Sequence, residues 1–367
     1  MINLDFLPSR QISLYMVKLF ITRTFAVLIA LVLVLMMLDL LGESGKILAV
    51  EGNTDADLWR YVGLRLPLLI SQFLPFAALL GTLIAFTALN QNSEVISMKA
   101  AGLSAHQILA PLILAAAIVA AALFVFNETV KVDSARVVTA WQDNDYEPVP
   151  PESGIMSNVW IRSDSGQVHA RLAAGTGDNF RLQGVSIYRL EDRVLKSVAR
   201  IDTVRPIPGE DRWSFEGIET YDADMNMVRE GDTGSGLAGV TPSQFKLATV
   251  SPESTDIFTL SEDIEALEAA GRPTEAARAG WWHKITAPLS TLLMPLLASV
   301  AAFGLARSGQ VLLRATIGMA LGFAYFVADN FSLAMGTAGV YPPFLAAWGP
   351  VLLFFLIGES VLVRTEE

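Results

Sequence analysis

Two long apolar runs enclose one short polar segment in the N-terminal part of the chain. Residues 66–93 and 100–127 contain no charged residue, and each run is 28 residues long. About 20 apolar residues are enough for a helix to cross the hydrocarbon core of a bilayer. The segment between the runs, residues 89–105, is therefore predicted to be a short helix at a membrane surface.

The apolar pattern predicts six membrane spans in two groups of three. The spans are 14–41, 64–88, 106–126, 283–305, 311–334 and 343–363. Backbone polar groups in lipid must bond internally, so each span is predicted to be a helix. The first apolar run follows Lys18 and Arg23 without a small-residue cleavage site, which predicts a retained span rather than a signal peptide.

The long polar block between the two groups, residues 127–282, is predicted to be a β domain because short strand-like runs alternate with turn residues. The predicted strands are Val159–Ser163, Val168–Leu172, Val185–Leu190, Val194–Val204, Trp213–Tyr221 and Phe245–Val250. The predicted turns are Asp164–Gly166, Ile207–Gly209 and the Gly-rich 231–239, and Pro148, Pro150 and Pro151 form the predicted linker. This pattern favours a sandwich, jelly roll or barrel. Ser261–Ala270 has an N-cap serine and acidic residues in its first turn, which predicts a helix that ends at Gly271.

The fold class is therefore an α-helical membrane protein with an inserted all-β domain. Residues 1–126 hold the first three spans, 127–282 the β domain and 283–367 the last three spans. A hydrophobic content of 52% and a mean hydropathy of +0.45 agree with a multi-span protein. Basic residues near span ends predict which side is cytoplasmic. One side carries Arg10, Lys18, Arg23, Lys99, Arg307, Arg314 and Arg364, against Lys46, Arg60 and the border residue Arg65 on the other. Both termini and residues 89–105 are then cytoplasmic, and the β domain is not.

Composition also removes several function classes. The chain has no cysteine and three scattered histidines, which predicts neither a metal site nor a bound cofactor. The net charge of −11 is concentrated in the β block, so a nucleic-acid partner is not expected. The nearest string to a phosphate-binding loop, Gly42–Lys46, lacks the required spacing, so the chain is not predicted to hydrolyse nucleotide.

The 89–105 segment has two interpretations, a docking helix for a cytoplasmic partner or an ordinary interfacial connector. Asn92 is a candidate N-cap, and Glu94 in the first turn suits the helix dipole. Val95, Met98 and Gly102 fall on one helical face. The pattern alone leaves both interpretations open.

Charged residues at the span ends give two further candidates. Asp39, Asp329 and Glu359 lie within spans but near their ends, which favours packing roles over proton relays. Lys46, Lys131, Arg136 and Lys284 lie near the outer ends of spans one, three and four. If those ends converge, the four cations form a rim able to hold lipid phosphates, with plain interface anchoring as the alternative.

Three strings resemble one known family, the lipopolysaccharide-export permeases LptF and LptG of Gram-negative bacteria. They are Pro75–Gly81 (PFAALLG), Asn92–Glu94 (NSE) and Met98–Gly102 (MKAAG). Asn127-Glu128, the strand pattern around Val185–Tyr188 and Trp213–Phe215, Lys284–Leu289 and Tyr341–Pro343 extend the resemblance over nearly the whole chain, and the strand spacing is more like LptG.

The resemblance implies a transmembrane subunit of an ABC transporter and a set of partners. Those partners are an LptB-like ATPase dimer, an LptF-like second permease, an LptC-like periplasmic protein and lipopolysaccharide within membrane lipid. It implies that Ser93, Glu94, Met98, Lys99, Ala101 and Gly102 belong to the ATPase-coupling helix and that the basic rim meets lipid phosphates. Some relatives carry lysines near the outer end of span one, where this chain has Asp39 and Glu43.

Two other hypotheses remain open from the sequence. The chain could be a membrane-anchored assembly factor whose β domain is the functional module. It could also be an intramembrane hydrolase that uses Asp39 and Asp329, although no Gly-x-Gly-Asp-like element surrounds either residue.

Overall fold

A computed structural model shows a helical bundle with a six-stranded sheet inserted in the middle of the chain. The structure describes residues 7–148, 155–163, 166–175, 179–191, 194–210, 212–224, 226–237, 239–248, 250–303 and 311–364. Arg307, the predicted linker residues Pro150 and Pro151, and most of the predicted turn Asp164–Gly166 lie outside these residues.

The helices of the bundle match the predicted spans in order but are longer. They are α1 (Arg10–Ala49), α2 (Asp55–Gln91), α3 (Glu94–Ala100), α4 (Ala105–Phe126), α5 (Val132–Asp143), α8 (Glu275–Phe303), α9 (Val311–Thr337) and α10 (Pro343–Arg364). A π-helical turn, Asn127–Lys131, joins α4 to α5 without a break. Among the described residues, five helices are long and apolar enough to cross a membrane, and the predicted fourth span, within α8, is not one of the five.

The bundle buries small and apolar side chains in its centre and leaves apolar side chains outside. The largest buried cluster joins Met16 and Phe20 of α1 to Phe86 of α2, Ile108 of α4 and Leu297 of α8. The outer faces of α1, α9 and α10 expose leucine, phenylalanine and valine side chains. An apolar outer surface of this extent is typical of a protein that lies in a bilayer.

The inserted sheet is antiparallel, and its strands follow one another in chain order. They are β1 (Met156–Ser163), β2 (Gly166–Ala174), β3 (Arg181–Glu191), β4 (Val194–Pro206), β5 (Trp213–Asp222) and β6 (Met227–Gly236). One face is buried around an aromatic cluster of Phe180, Trp213 and Phe245. The described strands form a meander, so a closed jelly roll stays a prediction.

Two predictions within the sheet region are wrong. Phe245–Val250 is not a strand, because Pro242–Ala248 forms helix α6, which places Phe245 against Trp213. The Gly-rich 231–239 is not mainly a turn, because residues up to Gly236 form the second half of β6. The predicted turn at Ile207–Gly209 is confirmed.

The return helix α7 (Ile257–Ala269) starts four residues before the predicted Ser261. Asp256 is its N-cap, and its carboxylate accepts hydrogen bonds from the backbone N–H groups of Phe258 (3.1 Å) and Thr259 (3.0 Å). Gly271 ends the helix as predicted: it has φ +63°, and the next residue, Arg272, donates its N–H to the carbonyl of Leu267.

We expect Asp256→Ala to lower the free energy of unfolding by about 1 kcal/mol, and Asp256→Asn to have little effect because asparagine caps helices equally well. Burial raises the pKa of Asp256, but the hydrogen bonds from Thr259 and Phe258 outweigh it and lower the pKa. The wild-type contribution is therefore complete above the unfolded pKa of about 3.9 and is lost as the pH falls through the folded value. Unfolding in mixed micelles at pH 7 and pH 3 measures both effects. Equal stability of the alanine and asparagine variants at pH 7 would rule out the cap.

Candidate functional sites

The short polar segment forms helix α3 at the end of the bundle opposite the sheet. Ser93 separates it from α2 by adopting a left-handed conformation, with φ +59° and ψ +17°. Gly102, with φ +90°, ends it as predicted, and the N–H of Leu103 bonds to the carbonyl of Met98. The predicted N-cap is wrong by one residue, because Asn92 ends α2 and Ser93 occupies the N-cap position of α3.

The two faces of α3 differ in burial. Val95 is buried in the main cluster of the bundle, and Met98 packs against that cluster. The face predicted from the spacing of Val95 and Met98 therefore anchors the helix. Ser93, Lys99, Ala101 and Gly102 are exposed, as is Ile96, whose side chain is 67% exposed. Ile96 was not among the predicted residues, although an isolated isoleucine in a short polar segment was a visible signal.

Glu94 links α3 to the first helix. Its side chain is half-buried, and its carboxylate interacts electrostatically with the phenol of Tyr15 on α1. The side-chain amide of Asn92 lies 3.4 Å from the same carboxylate. A displacement of α3 would therefore change its contact with α1.

At the same end of the bundle, His106 Nε2 of α4 lies 2.9 Å from Glu359 Oε1 of α10. This contact joins the start of the helix that follows α3 to the last helix of the chain. It also gives Glu359, one of the acids predicted within spans, a packing partner.

The opposite end contains a largely buried ion pair between two of the elements that lead into and out of the sheet. Glu128 lies in the π-helical turn and Lys284 lies on α8, and their side chains are 12% and 11% exposed. Lys284 Nζ lies 2.8 Å from Glu128 Oε1, and the other carboxylate oxygen accepts the backbone N–H of Ile257 (2.6 Å). One carboxylate thus connects α8, the start of α7 and the end of α4.

Two more predicted rim residues surround this pair. The guanidinium of Arg136 donates to the carbonyl of Ser254 at 3.2 and 3.3 Å. Lys131 interacts electrostatically with Glu128, Glu253 and Lys284. The structure therefore brings Lys131, Arg136 and Lys284 together, but each cation already has protein partners.

Lys46, the fourth predicted rim residue, has different partners at the end of α1. It is 66% exposed and pairs with Glu43 at 3.0 Å. Glu43 also accepts the hydroxyl of Tyr146 at 2.7 Å. Burial and the carboxylate of Glu43 raise the pKa of Tyr146 to about 12, so this phenol stays protonated and donates to Glu43. Lipid-phosphate binding by the four cations stays a prediction.

The two aspartates predicted within spans have separate partners. Asp39 on α1 accepts from the hydroxyl of Tyr61 (2.7 Å) and from Arg65 (3.0 Å) on α2. Asp329 on α9 lies 3.1 Å from His283 on α8. Each carboxylate therefore joins neighbouring helices, which suits packing and gives no support to a shared hydrolytic dyad.

A bundle with an apolar outer surface, an inserted sheet and an anchored helix between two spans defines a multi-span membrane protein with an extramembrane β domain. Over residues 14–364 the chain matches the family described as "Lipopolysaccharide export system permease LptF/LptG". The chain belongs to this family, and its role lies in lipopolysaccharide export.

The chain is also similar to proteins from two organisms. The chain is 26% identical to the lipopolysaccharide export system permease protein LptG of Escherichia coli strain K12 over 353 residues, which is 94% of each protein. It is 25% identical to the LptG of Haemophilus influenzae strain Rd over 347 residues, which is 90% of this chain and 94% of that protein. Both similarities span the bundle and the sheet.

Proposed function

We propose that this chain is an LptG-like permease subunit that couples ATP hydrolysis in a separate LptB-like ATPase dimer to extraction of lipopolysaccharide from the inner membrane. An LptF-like permease is its partner in the membrane. An LptC-like protein receives the lipid from the sheet side and passes it to a periplasmic bridge. The chain itself makes and breaks no covalent bond.

The observation that carries this proposal is that α3 has one face anchored in the bundle and another face exposed. Val95 and Met98 fix one face in the bundle core, and the exposed side presents Ile96 and Lys99 beyond it. An exposed apolar side chain on a rigidly anchored helix is a typical anchor for a partner protein. Because Val95 shares its cluster with residues of α1 and α4, a movement of α3 is transmitted to both helices.

The orientation in the membrane follows from the basic residues. Lys18 and Arg23 on α1 and Lys99 on α3 lie toward one end of the bundle, and the sheet lies at the other. We therefore assign α3 and both termini to the cytoplasm and the sheet to the periplasm. The protein is then a multi-pass component of the bacterial inner membrane.

We count α8 as the sixth span, because residues 285–303 within it form a 19-residue run without a charged residue. It packs against α2, α4, α9 and α10, so it occupies the centre of the bundle. A central helix contacts other helices rather than lipid, and it tolerates Thr286, Ser290 and Thr291, all of which are buried.

The test of the proposal is an Ile96→Glu substitution. A buried carboxylate at the contact would be costly, so we expect the amount of ATPase that co-purifies with the tagged chain to fall at least tenfold. Lipid-stimulated ATP hydrolysis should fall in parallel. Ile96 is a sharper choice than Glu94, because Glu94→Lys would also change the electrostatic interaction with Tyr15 on α1.

The matched control is Val340→Glu, which places the same charge on a 63% exposed apolar residue in the connection at the other end of the bundle. This variant should retain the ATPase. If Ile96→Glu and wild-type chains bring down equal amounts of ATPase, α3 is only a connector. If wild-type chains bring down none, the alternative of a membrane-anchored assembly factor replaces the proposal.

A further inference from the structure

The outer face of the first three strands carries a row of aromatic rings that the buried core does not use. The rings of Trp160 on β1 and His169 on β2 stack with centroids 4.4 Å apart and planes at 28°. Tyr188 on β3 stacks on the same indole at 5.7 Å and 19°. Trp160 is 49% exposed, whereas its strand neighbours Val159 and Ile161 are buried on the inner face. We call these three rings the aromatic platform.

The platform is held in place by a strained residue at the edge of the sheet. Asn158 has φ +51°, an unusual conformation for a residue other than glycine. Its side-chain oxygen accepts the indole N–H of Trp160 (3.2 Å) and lies 2.9 Å from His169 Nε2. Strain that persists in a native structure often serves to position a functional group. Here it orients two rings before any ligand arrives.

Polar side chains surround the rings on the same face. Arg162 follows Trp160 by two residues, is exposed and has no acidic partner within the described part of the chain. Its cross-strand partner is Gln167, which in turn lies opposite Tyr188, and Ser186 lies opposite His169. Burial and the charge of Arg171 lower the pKa of His169, so the imidazole is neutral at pH 7.

The platform lies close to the point where the sheet meets the bundle. Ser157 on β1 bonds to Asp143 at the end of α5, and Arg171 on β2 lies 3.4 Å from Glu147 just beyond α5. Trp160 is three residues from Ser157, or about 10 Å along the strand. A lipid headgroup that leaves the membrane beside α5 would therefore pass close to these rings.

We infer that the aromatic platform binds the saccharide headgroup of the exported glycolipid. Flat exposed rings stack on the C–H faces of sugars, and guanidinium, amide and hydroxyl groups at the rim bond to sugar hydroxyls. A nucleic-acid ligand is disfavoured because the surrounding β block is acidic. The polar rim disfavours acyl chains. This inference rests on the proposed export function and adds which part of the substrate touches the β domain.

The experiment uses the full chain in lipid nanodiscs and a lipid-free core oligosaccharide released from rough lipopolysaccharide by mild acid. Saturation-transfer NMR reports contact between sugar protons and the protein. We expect Trp160→Ala to weaken oligosaccharide binding about tenfold, which corresponds to the loss of a stacking contact. Trp160→Phe should retain most of the binding. Phe258→Ala, which removes an exposed aromatic side chain on α7, is the control and should bind like wild type.

Two outcomes overturn the inference. One is equal binding by Trp160→Ala and wild type, including no binding by either. The other is that Trp160→Ala reduces only the capture of an LptC-like protein, which would make the platform a protein contact. The export proposal is judged separately by the Ile96→Glu co-purification, so loss of saccharide binding and loss of the ATPase are distinguishable results.

Discussion

Replacing Lys284 by methionine is expected to lower the free energy of unfolding by about 3–5 kcal/mol. The change leaves the Glu128 carboxylate in a site that is 12% exposed, without its cation. Breaking one partner of a buried ion pair is costly in this range because the remaining charge is neither solvated nor paired. The carboxylate then keeps the hydrogen bond from the N–H of Ile257 and the more distant charge of Lys131, and neither replaces the ammonium group at 2.8 Å.

The double variant Glu128→Gln/Lys284→Met shows how much of this cost comes from the unpaired charge of Glu128. A neutral amide beside a methionine removes both charges, so we expect most of the lost stability to return. Lys46→Met is the matched control, because the same substitution breaks an ion pair that is mostly exposed. It should change stability by less than about 1 kcal/mol. Denaturation by SDS in mixed micelles gives all three values, and a Lys284→Met cost as small as that of Lys46→Met would show that water reaches Glu128.

The Glu128–Lys284 contact also bears on how movement passes between the bundle and the sheet during export. The chain enters the sheet region after Glu128 and leaves it before Lys284, so their contact joins the two crossings. A movement of α4 against α8 would pull on this pair and on the start of α7. The neutral double variant therefore tests coupling as well, since it keeps the fold while removing the attraction.

This pair shows what the sequence could and could not predict. Glu128 was placed at the end of span three and Lys284 at the start of span four from apolar periodicity and family resemblance. The contact between them joins residues 156 positions apart, and single-sequence periodicity contains no information on such a distance. The contact of Arg136 with the carbonyl of Ser254 could not be predicted for the same reason, whereas Glu43, the partner of Lys46, lies three residues away on the same helix.

The errors in the sheet have local causes. Phe245–Val250 has apolar residues at Phe245, Leu247 and Val250, and this spacing is strand-like in the sequence. Thr241 and Pro242, followed by Gln244, form a helix start: the backbone N–H of Thr241 donates to the side-chain oxygen of Gln244 at 3.3 Å. This capping pattern is present in the sequence and predicts a helix more specifically than the apolar spacing predicts a strand.

The glycines of β6 illustrate a different failure. Gly-rich segments usually indicate turns, but Gly234 and Gly236 lie in a strand. A Cβ on Gly234 would lie 2.7 Å from the side chain of Ile218, and one on Gly236 would lie 2.9 Å from the ring of Phe215. Large side chains of β5 therefore occupy the space of the missing side chains, and only the cross-strand register shows this.

Gly81→Ala is expected to destabilise the bundle by about 1–3 kcal/mol, although alanine is the better helix former. An added Cβ would lie 2.7 Å from the backbone N and Cα of Thr24 on α1 and 2.6 Å from its hydroxyl oxygen. A backbone cannot rotate out of the way as a side chain can, so α1 and α2 would have to separate. Helix α2 is continuous through Pro67, Pro75 and Gly81, so Gly81 serves close packing rather than a break.

Gly63→Ala in the same helix is the control, because no atom lies within 4 Å of the added Cβ. Helix propensity then acts alone, and this variant should be between zero and about 1 kcal/mol more stable than wild type. The two substitutions are chemically identical, so opposite signs in SDS denaturation would assign the cost to contact with Thr24. A stabilising Gly81→Ala would show that α1 and α2 separate freely. That result would also weaken the coupling argument, because α1 and α2 could then move independently of α3.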